Sequence, residues 1–106
     1  MSNLEDMLKR QRGRRGNNRV HDAIMSEVYA RVCQKHPAAK VTMNHFYEKG
    51  ELDVKAEYDN RIIVYEIKSY KGLRKAKKQV KRYADWETKT VYAVAITPYE
   101  VCRMYF

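Results

Sequence analysis

Residues 51–69 read ELDVKAEYDNRIIVYEIKS. Two extended, apolar-rich arms flank Asp59-Asn60, which predicts a β-hairpin, because both residue types tolerate the positive φ of a tight loop. With those two as the loop, Tyr58 faces Arg61; a four-residue loop with the same centre gives the same register. Counting outward, Asp53 falls opposite Glu66 and Glu51 opposite Lys68. Side chains alternate along a strand, so all four should leave one face of the sheet.

Facing carboxylates repel, at a cost of about 0.2–1 kcal/mol for a cross-strand pair. A structural ladder of ion pairs would set a lysine opposite each acid. Glu51 and Lys68 obey that rule, whereas Asp53 and Glu66 break it. A divalent cation between the two acids removes the repulsion, and hard oxygen donors suit Mg²⁺ or Mn²⁺. Lys68, about 6.6 Å from Glu66 along the strand, would then stand where an ammonium holds a water or a phosphate oxygen. The competing reading is an ordinary solvated strand face, and an odd-length loop would break the register.

The 106 residues suffice for one domain, and the 44% hydrophobic share argues against wholesale disorder. The net charge of +9 favours polyanionic partners, nucleic acid ahead of an anionic membrane. No apolar run approaches the roughly 18 residues of a membrane span, and MSNLEDMLKRQ does not read as a signal peptide. A soluble, cytoplasmic chain is therefore expected. Cys33 and Cys102 lack metal-ligand spacing and read as two reduced, partly buried thiols.

Residues 1–19 read as a basic arm, opening with a short amphipathic piece from Leu4 to Leu8. Six of the eleven residues from Lys9 to Arg19 are basic. Arg10, Arg12, Arg14, Arg15 and Arg19 would either lie on phosphates or simply solubilise the chain. Residues 20–106 form the single domain.

Val20 to Lys35 is predicted helical from Ile24, Val28 and Val32 at four-residue spacing, with Asn17 and Asn18 available as caps and His36-Pro37 as the stop. Glu27 lies about 60° from Ile24, on the shoulder of that stripe. Val41–Tyr47 is a plausible strand before the hairpin. A second helix, about Leu73 to Glu87, has the apolar stripe Leu73, Ala76, Val80, Tyr83 and Ala84. Seven of the twelve residues from Lys71 to Arg82 are basic, and Lys71, Arg74, Lys75, Lys78, Lys81 and Arg82 are candidates for phosphate contact. Thr90–Thr97 reads as a buried strand and Glu100–Phe106 as an edge strand.

Gly50-Glu51-Leu52-Asp53-Val54 followed by Tyr65-Glu66-Ile67-Lys68-Ser69 resembles the core motif of the PD-(D/E)xK nuclease superfamily. The strand-borne acid matches Asp53, and the E-x-K matches Glu66 and Lys68. The resemblance implies an α/β, restriction-endonuclease-like αβββαβ core with a central mixed sheet flanked by helices. It also implies Mg²⁺ or Mn²⁺ held by Asp53, Glu66, the main-chain carbonyl of Ile67 and Glu27. Gln79 and Tyr83 resemble the Gln-x3-Tyr motif of RecB-type exonucleases, with Gln79 positioning Lys68 or the substrate. The phrasing GELDV…YEIKSY is similar to archaeal Holliday-junction resolvases, which are small, basic and dimeric. The usual proline before the first acid is absent, Leu52 standing there.

These implications lead to an expectation of a metal-dependent DNA endonuclease selective for branched DNA, acting as a homodimer. A RecB-like exonuclease is the second reading, and a non-catalytic nucleic-acid-binding protein the third. Plainer roles stay open for several residues. Glu27 pairs with Arg31 at i,i+4 in the alternative reading, Gln79 and Tyr83 pack helix on sheet, and His21 and His45 either touch phosphate or a nucleophile or sit at the surface or core edge.

Overall fold

The computed structural model describes residue 8 and residues 17–47, 50–68 and 72–105. Its elements run α1 (Asn17–Lys35), β1 (Lys40–Tyr47), β2 (Gly50–Glu57), β3 (Arg61–Ile67), α2 (Leu73–Trp86), β4 (Thr90–Ile96) and β5 (Val101–Tyr105). The five strands form one mixed sheet in sequence order. Neighbours are antiparallel except β3 and β4, which are parallel and joined through α2. A parallel pair needs a long crossover, and α2 supplies it.

The two helices cover opposite faces. From α1, Val20, Ile24, Met25, Val28 and Val32 pack with Val54, Ala56, Ile67 and Ile96. From α2, Val80 and Tyr83 pack with Leu52, Ile62, Val64, Val91 and Ala93. Strand β3 shows the division most plainly. Ile62 and Val64 go to the α2 side, while Ile63, Tyr65 and Ile67 go to the α1 side, as period-two alternation requires.

The hairpin register is the one counted from the sequence: Val54 faces Tyr65, Ala56 faces Ile63, and Glu57 faces Ile62. The Tyr58 N–H donates to the Arg61 carbonyl at 2.9 Å, and the Arg61 guanidinium lies 4.1 Å from the centre of the Tyr58 ring. The turn differs from expectation, since neither Asp59 nor Asn60 has a positive φ. The four-residue form of the loop, closed by Glu57 and Ile62, keeps the register without that requirement.

One expectation about the strands needs correction. Leu52 packs on the α2 side, but Val54 and Ala56 pack on the α1 side. Residues two apart on an unbroken strand share a face, so alternation breaks between Leu52 and Val54, at Asp53. The partner strand breaks at the same level. Asn44, whose φ is +56°, interrupts the β1–β2 ladder between Met43–Val54 and His45–Leu52 without changing the register. Asparagine is among the few residues besides glycine that enter this left-handed region readily. The four polar side chains of the hairpin therefore do not share one flat face.

The first helix starts at Asn17, three residues inside the expected arm, and Leu8 is 2% exposed in the cluster with Val20 and Ile24. Arg10, Arg12, Arg14, Arg15 and Lys71 lie outside the described residues. Among the described residues both cysteines are free and half-buried, and no helix is long and apolar enough to cross a membrane.

Candidate functional site

The β2–β3 ladder ends at Val54–Tyr65, one residue short of Asp53 and Glu66. Beyond it, side chains replace the main-chain pairing. The Asp53 N–H donates to Glu66 Oε1 at 3.0 Å, and the Ile67 N–H donates to Asp53 Oδ2 at 2.8 Å. Both carboxylates thus enter the opening between the two strands. The break at Asp53 allows this, because it releases that residue from the pleat that holds Val54 on the α1 side.

Two acids so placed cannot both ionise cheaply. Glu66 is 1% exposed. Burial, and then the charge of Asp53, push its pKa up to about 8, against smaller lowering from the Asp53 N–H, Lys68 and His21. Asp53 has a cationic neighbour that the sequence reading passed over. His21 Nε2 lies 3.3 Å from Asp53 Oδ2, and that hydrogen bond, opposed by partial burial, raises the imidazole to about 9. His21 also meets Asp22 at 3.3 Å. At neutral pH the cluster holds a His21 imidazolium against Asp53 and a Glu66 biased toward its neutral form.

Lys68 follows directly. Its N–H donates to the Ile96 carbonyl at 2.9 Å, which fixes the chain as it leaves β3. Its methylenes pass close to Gly72, where an added Cβ would come within 3.3 Å of Lys68 Cγ. Gly72 has φ +131° and begins α2 with no side-chain cap. The first-turn N–H groups of α2 thus open near Lys68, and its first turn carries no acid.

Farther along α2, Arg74, Lys75, Lys77, Lys78, Lys81 and Arg82 are exposed, while Ala76, Val80 and Tyr83 are buried. Gln79 lies between these two sides, half-buried, and its buried Oε1 has no hydrogen-bond partner among the described residues. Tyr83 is fully buried, and its hydroxyl donates to Glu87 Oε2 at 3.1 Å. The ring is part of the core and does not face a substrate.

The structure brings Asp53, Glu66, Lys68 and the Ile67 main chain together, and adds His21. It does not join Glu27 to them. Glu27 Oε1 takes the Arg31 guanidinium, at 2.9 Å from Nη2 and 3.1 Å from Nε. Helix geometry supplies the reason: Glu27 is six residues beyond His21, roughly 9 Å along the axis and about 120° around it. His21 occupies the other shoulder of the Ile24 stripe, nearer the open end of the hairpin. Helical periodicity put both shoulders within reach of the sheet. Only the crossing of α1 over β2 selects between them.

Among the described residues no set of three His, Cys, Asp or Glu side chains is gathered as a metal-ligand group. No protein-family model matches the chain, and no curated protein matches it in sequence.

Proposed function

We propose that this chain is a metal-dependent nuclease of the PD-(D/E)xK type, cutting DNA phosphodiesters with a preference for branched structures. One observation carries the reading: a solvent-excluded Glu66 beside Asp53, its pKa raised to about 8, at the open end of a hairpin next to Lys68. A buried carboxylate pair is costly unless a cation compensates it. The element order α-β-β-β-α-β in a mixed sheet accords with the same superfamily.

Asp53 and Glu66, with the Ile67 carbonyl, would hold Mg²⁺ or Mn²⁺, which supplies Lewis-acid polarisation of the phosphate and a water of lowered pKa. Each acid keeps a second oxygen, beyond the Glu66 Oε1 and Asp53 Oδ2 that accept main-chain N–H groups, which would be available to such an ion. Lys68 neutralises charge that grows on the phosphate oxygens in the transition state. His21, already on Asp53, keeps that carboxylate oriented. The uncapped first turn of α2 and the cations Arg74 and Lys75 favour a phosphate beside Lys68. Gln79 Oε1, without a partner among the described residues, would accept from a donor on the substrate or on Lys68.

The test is direct. Labelled junction, flap, duplex and single-stranded DNA are incubated with Mg²⁺, Mn²⁺ or EDTA, using the wild type, Asp53→Ala and Lys68→Ala. Metal-dependent nicking near branch points that both substitutions abolish is the expected result. Progressive loss from ends assigns an exonuclease. Binding with no cutting under any metal assigns a non-catalytic nucleic-acid-binding protein.

A further inference from the structure

Among the described residues three large hydrophobic side chains are exposed: Met43 at 40%, Phe46 at 73% and Tyr99 at 55%. Two of them stand on β1, an edge strand, and the break at Asn44 decides where they point. Met43 faces Val54 in the register, and Val54 packs on the α1 side. Phe46 faces Glu51, whose neighbour Leu52 packs on the α2 side. Alternation therefore sends Glu51 and Phe46 to the α1 side, the side Met43 already occupies. In an unbroken strand residues 43 and 46 would leave opposite faces. The left-handed Asn44 brings them onto one.

This side is also the one from which His21 reaches Asp53. Cross-strand and along-strand spacings put the Phe46 α-carbon about 8 Å from that of Asp53. Among the described residues the most exposed aromatic ring thus stands beside the carboxylate pair. Its cross-strand neighbour, Glu51, is an exposed acid, which disfavours a phosphate over the ring and leaves an uncharged group as the better occupant. The chain's +9 charge opposes pairing of two copies through their β1 edges.

We propose that Phe46, with Met43 beside it, is a stacking platform for an unpaired nucleobase next to the cleavage site. The proposal rests on the nuclease reading for its substrate and narrows it: the preferred nucleic acid carries unpaired nucleotides at the scissile position. Bases in a continuous duplex stack on one another and offer no free face. A flap, a single strand or an opened junction does. Every base has a π-face, so the contact selects structure without reading sequence.

The experiment is carried out in EDTA, so that no cutting intervenes. Dissociation constants are measured by fluorescence anisotropy for a single strand, the same strand with abasic sites, and a duplex. Wild type, Phe46→Ala and Phe46→Trp are compared after thermal melts confirm equal folding. Phe46→Ala should weaken binding of the normal strand about 5- to 100-fold, with little change on the abasic strand or the duplex. Phe46→Trp should hold or tighten it. Equal loss on all three ligands, or loss on none, overturns the proposal. So does a change of sedimentation state in Phe46→Ala, which would mark a protein contact. A base-dependent loss in a protein that never cuts DNA sinks the nuclease reading and leaves the platform standing. Failure of every strand to bind removes both.

Discussion

The main-chain N–H of Asp53 donates to Glu66 Oε1, and Asp53 Oδ2 in turn accepts from the N–H of Ile67. Each acid satisfies a donor at the position where main-chain pairing stops. The pair is thus structural and electrostatically costly at once: it closes the end of a hairpin while holding two carboxylates in a space with little water. Removing one carboxylate frees an N–H and relieves a repulsion, so stability and activity should respond differently to substitutions here.

The pH dependence has a definite sign. The Glu66 pKa goes from an ordinary 4.5 to about 8 on folding. Between those values the folded chain keeps a proton that the unfolded chain has released, so stability falls as pH rises through the window. His21 rises from 6.5 to about 9; its contribution is full below 6.5 and is lost as pH climbs toward 9. Both slopes run the same way. In EDTA the Tm should decline from about pH 5 to about pH 9. Glu66→Gln keeps an oxygen for the Asp53 N–H and cannot ionise, so it should flatten the lower part of that decline. Melts at half-unit steps check this, and a Tm that climbs over the range refutes it.

A divalent cation should reverse that trend. It binds the ionised pair, so protons compete with it, and its stabilisation follows mass action at about 2.7 kcal/mol when present at 100 times Kd. Mg²⁺ should therefore raise Tm more at about pH 8.5 than at about pH 6. Asp53→Ala should lose the effect at both. An equal shift at the two pH values, or one that survives the substitution, would place the ion elsewhere.

Much of this was legible in the sequence, for reasons that particular residues make plain. The register that sets Val54 against Tyr65 followed from an even-length loop centred on Asp59-Asn60, because only an odd-length loop would have shifted it by one. The stripe Ala76, Val80 and Tyr83 marked the buried side of α2. The break at Asp53 was not legible. It depends on Asn44, nine residues earlier, adopting a conformation that asparagine tolerates but does not demand. His21 was missed because helical periodicity names two shoulders, and only tertiary packing chooses one. Leu8 was assigned to an arm because its six basic neighbours dominate the local composition.

Gly72 connects backbone to site. Its φ of +131° is one that L side chains rarely adopt, and an added Cβ would press on Lys68 Cγ at 3.3 Å. Gly72→Ala should cost about 1–3 kcal/mol in denaturant unfolding. It should also lower the cleavage rate at temperatures where the protein is fully folded, because Lys68 is displaced. Unchanged kinetics with lowered stability would detach Lys68 from the chemistry.

Gln79 separates packing from function. Its buried Oε1 lacks a partner among the described residues, and a buried acceptor left unsatisfied costs about 1–3 kcal/mol. Gln79→Met, similar in shape and apolar, should be neutral or stabilising by about 1 kcal/mol. If the free oxygen receives a substrate donor, the same variant should cut more slowly despite its stability. A variant that is more stable and equally active would reduce Gln79 to helix–sheet packing.

The outer side of α2 is tested by salt. Lys75, Lys78 and Arg82 are exposed and recur three and four residues apart, so they share one stripe of the helix. Each phosphate they neutralise releases counterions and contributes about 0.9 to the slope of log K against log salt for duplex, or about 0.7 for a single strand. Changing all three to Gln should lower that slope by two to three such increments and weaken binding evenly across sequences. Lys40, also exposed, is a control: it faces Glu57 near the hairpin turn, four residues along β2 from Asp53. Lys40→Gln should leave the slope nearly unchanged. If Lys40 matters as much as each α2 residue, the positive charge acts as a diffuse field, and α2 does not hold the backbone against the Asp53–Glu66 pair.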